Sequence, residues 1–288
     1  MTNMKRAESG GGCCGLVPEQ VLASEASSGR ASELAFFGTA AIVFVVSAAV
    51  TVSWCGSMCS MCDLEMPGGW KLSMAWMRMP EQTWLSAAVT FLGMWAVMMV
   101  AMMLPSLVPM LGRYRQSVAA ASEGSLARLT AITGAGYFFV WILLGVVVYP
   151  IGVALAALTQ EHAALARVAP FAIGVVVILA GALQFSSWKL QHLACCRGGS
   201  ARRDVSPADA RSAWQHGLHL GLQCCACCLG LTAILLVLGV MDLGVMAVLT
   251  AAITLERLAP DHVLASRAVG GVAVGAGLLL VAQATGLA

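Results

Sequence analysis

The sequence predicts an all-α polytopic transmembrane helix bundle of about seven spans, six if one apolar run is interfacial, with the N-terminus cytoplasmic. Three observations lead there. Only 10% of the 288 residues are charged and 59% are hydrophobic, against about 25% charged in a soluble domain. The mean hydropathy of +0.85 points the same way. Several apolar runs reach the length of about 18 residues that reads as a membrane span. The basic residues, lastly, collect on one set of connections, as the positive-inside rule requires. This composition excludes an ordinary cytosolic enzyme and a disordered chain. A net charge of +2 gives no footing for a nucleic-acid partner.

Residues 1–33 are rich in Gly and Ser, carry Lys5, Arg6, Arg30 and the pair Cys13-Cys14, and read as a flexible cytoplasmic tail. No signal-peptide core is visible in them. Residues 34–288 form the transmembrane helical domain. Its first span is 34–54, followed by an outer loop, 55–83, rich in Met and Cys. The second span is 84–110, and a basic stretch covers 112–128. The third is 129–158, with Pro150 placed to kink or end it. The fourth is 168–188, and a basic loop runs over 189–211. The fifth is 217–240, the sixth 242–255 and the last 265–288. The sixth is short.

Alternating these spans from an inside N-terminus puts thirteen of the 16 Lys and Arg inside: Lys5, Arg6, Arg30, Arg113, Arg115, Arg128, Lys189, Arg197, Arg202, Arg203, Arg211, Arg257 and Arg267. Lys71, Arg78 and Arg167 remain outside. A wrong span count would mix the two groups.

The 11 Cys and 16 Met are unevenly placed. The outer loop holds Met58, Met61, Met66, Met74, Met77 and Met79 with Cys55, Cys59 and Cys62. Thioethers and thiolates favour Cu(I) and similar soft ions. The other reading is an interfacial segment with a Trp belt of Trp70, Trp76 and Trp84 and a disulfide. In the second span Met94, Met98 and Met102 recur every four residues and share one helix face. That row is either a sulfur relay or a lipid-facing or packing stripe.

The fifth span carries the strongest signal. It reads His216-Gly-Leu-His219-Leu-Gly-Leu-Gln223-Cys224-Cys225-Ala-Cys227-Cys228. At 100° per residue His216, His219, Gln223 and Cys227 fall on one face, with Cys224 and Cys228 beside them. Imidazole and thiolate form an ordinary metal-ligand set. The alternative is Cys as a small buried hydrophobe. The fourth span ends on the same side with Lys189, His192, Cys195 and Cys196, where Lys189 is placed either to snorkel or to favour a nearby thiolate. Glu256 ends the sixth span, either as an intramembrane functional acid or in an interfacial pair with Arg257. Asp242 begins that span, where it also suits a helix cap.

Several of these blocks occur together in a known group. Pro67-Gly-Gly-Trp70, the run from Met74 to Pro80, Gly93 to Pro105, the Gln184 to Cys196 segment, the Cys-rich fifth span through Gly239-Val-Met-Asp-Leu243, and Glu256 to Pro260 resemble an uncharacterised domain-of-unknown-function family of predicted metal-binding integral membrane proteins. The resemblance covers roughly residues 66–287 and implies a polytopic membrane protein with a metal site. It places the family motif on Met98, Met102, Pro105, Lys189, Cys195, Cys224, Cys227, Cys228, Asp242 and Glu256. Cys225 and the Cys55 to Cys62 group fall outside it. A weaker likeness to bacterial mercuric-ion membrane transporters rests on Cys pairs alone.

The expected function is to bind a soft transition metal ion, Cu(I) first and Zn or Hg(II) as alternatives, and to move or deliver it across or within a bacterial inner membrane. The outer Met loop captures, the Met row passes and the inner Cys/His cluster receives. The expected partners are the lipid bilayer, the metal ion, and a metal chaperone or partner membrane enzyme. No phosphate-binding G-x-x-x-x-G-K-[ST] motif is present. A membrane-embedded metal- or thiol-dependent oxidoreductase is the alternative, as is a non-catalytic metal-delivery subunit. Nothing marks a substrate pocket, and there is no C-x-x-C-H haem motif, so a non-enzyme is favoured.

Overall fold

A long apolar segment has no water to satisfy its backbone N–H and C=O groups within a bilayer, and a helix satisfies them internally. A computed structural model describes residues 19–59, 64–65, 71–72, 76, 82–118, 123–198 and 209–286. Among these the chain is helical almost throughout. The helices are α1 (Glu19–Cys59), α2 (Trp84–Ser117), α3 (Glu123–Glu161), α4 (Ala163–Leu183), α5 (Ser187–Gly198), α6 (Ala210–Leu238), α7 (Leu243–Leu258) and α8 (His262–Ala284). Between α1 and α2, strands β1 (Leu64–Glu65) and β2 (Lys71–Leu72) pair antiparallel with Leu64 opposite Leu72. Residues 1–18 of the expected tail, with Cys13 and Cys14, lie outside the described residues. So do most of the outer-loop sulfur groups, the side chains of Met58 and Cys59 among them.

The chain divides into two compact units, 1–39 and 40–288. In the first, α1 is already helical from Glu19, and the Thr39 hydroxyl donates to the Ala35 carbonyl at 2.8 Å. The second unit holds the other helices.

Among the described residues, six helices are long and apolar enough to cross a membrane, and the protein is a polytopic membrane helix bundle. They account for every expected span except 242–255. That run is α7, whose 16 residues reach about 24 Å at 1.5 Å per residue, short of a hydrocarbon core of about 30 Å. Pro150 does not end its helix: α3 continues through it to Glu161, as α2 continues through Pro105 and Pro109.

Lipid gives no hydrophobic drive for helices to associate, so small residues that admit close backbone contact set the pairing. Parallel helices α3 and α6 meet where Gly217 lies under the Thr133 carbonyl and Gly221 under that of Tyr137, 2.9 Å from the position a Cβ would take. Antiparallel helices α4 and α8 meet through Gly174 and Gly181 on one and Gly270 and Gly277 on the other. Gly239, with φ of 134°, turns the chain out of α6, and the Asp242 carboxylate caps α7 by accepting from Val245 N at 2.9 Å. Helix α7 then returns along α6 until Arg257 reaches Cys227. At this level α4 ends and α8 begins, joined by a 2.9 Å hydrogen bond from the Ser266 hydroxyl to the Gln184 carbonyl. Helices α2, α3 and α6 continue past it, packing Tyr114, Val118, Leu129 and Ala213 together.

Candidate metal centre

The inward stripe of α6 is set by its smallest residues. Gly217 and Gly221 face α3, and the same stripe carries Cys224, Cys227 and Cys228 into the interior, all three buried. Cys227 and Cys228 sulfurs stand 3.6 Å apart, and the Cys224 thiol neighbours both. The Cys227 thiol donates to the Cys224 carbonyl at 3.3 Å. Tyr137, fully buried on α3, places its hydroxyl 2.9 Å from the Cys224 sulfur. Cys225 is half-buried on the adjoining face.

From the end of α7, Arg257 reaches into this cluster. Its Nη2 donates to Cys227 Sγ at 3.1 Å and to Cys228 Sγ at 3.7 Å, and its Nη1 to the Met110 thioether at 3.6 Å. The residue is 6% exposed, and its Nε has no hydrogen-bond partner among the described residues. A buried cation needs compensating charge, and the hydrogen bonds this one makes go to sulfurs. Beside it the second buried cation, Lys189 of α5, pairs with Glu256 at 2.7 Å and also donates to the Gln184 side chain. Glu256 and Arg257 therefore face different partners. Consecutive helix residues do not share a face.

The remaining predicted residues are spread around this centre. Met94, Met98 and Met102 are buried on α2, and the last two line an open groove between α1, α2 and α7. His216 stacks on Tyr114, ring centroids 5.0 Å apart, two turns before Cys224 on α6, and His219 is exposed. His192 packs edge-on against Trp188 on α5. The Cys195 and Cys196 side chains lie outside the described residues. Asp242 is the exposed cap of α7. Sequence reasoning did not single out Tyr137 or Met110, and it placed Arg257 only as one option for pairing its neighbour Glu256. An arginine one residue from an acid in an apolar run was the available signal.

Among the described residues, no group of three or more His, Cys, Asp and Glu side chains is arranged to hold a metal ion. The convergent donors are a few sulfurs. Thiolate and thioether donors of this kind select soft ions, Cu(I) and Zn among them.

No curated protein and no solved structure matches the chain. A family model described as PpoB2, copper chaperone, matches residues 92–280, a stretch that holds every residue of the cluster from Met110 to Arg257. That match, across most of the chain and over a buried sulfur cluster in a membrane bundle, shows that the chain belongs to the PpoB2 copper chaperone family.

Proposed function

We propose that the protein takes up Cu(I) at the Cys224, Cys227 and Cys228 cluster and delivers it within or across a bacterial inner membrane. The observation that carries this reading is the buried Arg257 guanidinium, hydrogen-bonded to Cys227 and Cys228. Cu(I) held by the two thiolates that Arg257 contacts, Cys227 and Cys228, with Cys224 kept as a neutral thiol against the Tyr137 hydroxyl, has a net charge of −1, which the guanidinium cancels. Zn(II) on those two thiolates is neutral and leaves the buried arginine uncompensated, an unfavourable state in a low-dielectric interior. In this reading Met94, Met98 and Met102 pass the ion to the cluster. His192, Cys195 and Cys196 on α5, with His216 and His219 further along α6, offer donors for its onward transfer. Lys189 and Glu256 hold α5 and α7 together beside the site, and Asp242 fixes the start of α7.

The orientation proposed is N-terminus cytoplasmic, with residues 1–33 as a cytoplasmic tail and 55–83 as the outer loop. The recipient is a metal chaperone or a partner membrane enzyme. Transfer from the Met row to the cluster runs from weaker thioether to stronger thiolate donors, which supplies direction without a nucleotide.

The test is the copper content of the purified protein. The variant with Cys224, Cys227 and Cys228 all changed to Ser should lose its tightly bound Cu(I) while keeping the wild-type elution profile in detergent. A well-folded triple variant that retains copper at the wild-type level would remove the cluster from the function.

A further inference from the structure

A pair of sulfur donors outside the cysteine cluster meets at the opposite end of α7. Cys55, near the end of α1 and 1% exposed, donates its thiol to the Met241 thioether with the sulfurs 3.9 Å apart. These residues are 186 positions apart in sequence, and the bundle brings them together just before the Asp242 cap. A soft ion about 2.3 Å from each sulfur, the metal–thiolate distance known for zinc, spans up to about 4.6 Å between donors. A separation of 3.9 Å therefore admits one ion held at a bent angle. Five residues on, Met246 of α7 lines an open groove of about 700 Å³ between α1, α2 and α7, which Met98 and Met102 of α2 line as well. The lining is otherwise mostly apolar, so thioethers are the metal-binding groups it offers.

We infer that Cys55 and Met241 form a second Cu(I) site, which loads the thioether-lined groove of Met246, Met98 and Met102 on the way to the cysteine cluster. This rests on the copper reading above and extends it to Cys55, Met241 and Met246, which that reading does not use. The site has one thiol and one thioether. Binding displaces the Cys55 proton to solvent as the sulfur–copper bond forms, and the Met241 sulfur binds without proton loss. Such a pair holds copper more weakly than a cluster of thiolates and releases it more readily.

The experiment uses the full-length protein in detergent, kept anaerobic and reduced, with Cu(I) titrated against a chromogenic competing chelator. In the Cys224/Cys227/Cys228→Ser background a weaker site should remain. Adding Met241→Leu, which conserves volume and removes the donor, should weaken that site more than tenfold. Adding Met241→Cys, which restores a sulfur, should return or tighten it. A structural role for Met241 would make the Leu and Cys variants alike. Equal behaviour of those two, or a change under twofold with Met241→Leu, overturns the site. Met241→Leu in the otherwise wild-type chain decides the same point if the triple variant fails to fold. The two readings fail separately: full tight binding by the triple variant sinks the cysteine cluster, and the Met241 comparison still decides the second site.

Discussion

Glu256→Leu should destabilise the protein by about 3–5 kcal/mol, the cost of leaving a buried charge without its partner. Lys189 and Glu256 are 4% and 2% exposed and 2.7 Å apart, so the ammonium left behind has no route to water without moving α5. Lys189→Met alone should be similarly damaging, because it strands the carboxylate. Replacing both, Lys189→Met with Glu256→Leu, should recover most of the loss, since apolar residues of similar volume often substitute for a buried pair without penalty. Thermal or denaturant unfolding in detergent reads all three. A single change costing under about 1 kcal/mol, the range of an exposed pair, would mean that water reaches the pair. A stable double variant that handles copper poorly would show that the pair is kept for positioning α5 beside the cluster.

Arg257→Leu should weaken Cu(I) binding by roughly 10–100-fold, the usual effect of removing a group that supports metal ligands. The substitution leaves a bis-thiolate copper complex with an uncancelled negative charge in a dry interior. It also removes the donors that orient Cys227 and Cys228. Arg257→Lys should recover part of the affinity, because it restores the charge but not the planar fork that reaches two sulfurs and Met110 together. Competition titrations on the three proteins give the comparison. Unchanged affinity in the Leu variant would separate the arginine from the metal and leave it a packing role.

The helices, their order and the shared helix face of Met94, Met98 and Met102 on α2 were legible in the sequence, because each depends on local hydropathy and spacing; that this face is buried depends on the neighbouring helices. Six of the seven expected runs are long enough to span a membrane, and the exception is the run whose length already fell short. The face of α6 was harder to read. A 100° wheel put His219 with Cys227, yet His219 is exposed and Cys227 buried. The face that packs is chosen by Gly217 and Gly221, whose missing side chains let α3 approach. That choice depends on a partner helix. The same holds for Lys189 with Glu256, Arg257 with Cys227 and Cys55 with Met241, each fixed by the level at which two distant helices meet.

The continuity of α3 has a mechanical consequence. Its 39 residues make a rod about 58 Å long. A hydrocarbon core of about 30 Å accommodates about 39 Å of it even at a tilt of 40°, so roughly a third of the rod stands clear of the bilayer. Exposed Arg128 near the start of α3 and Arg113 near the end of α2 put the protruding portion at that end, where α6 also begins with exposed Arg211. The three rods are braced there by Tyr114, Val118, Leu129 and Ala213. A protein that grips this stem does not pull on a slack loop. It turns stiff shafts that carry Met110, Tyr137 and Cys224 about one to three turns further along, and a small rotation at the stem shifts the distances between those three side chains.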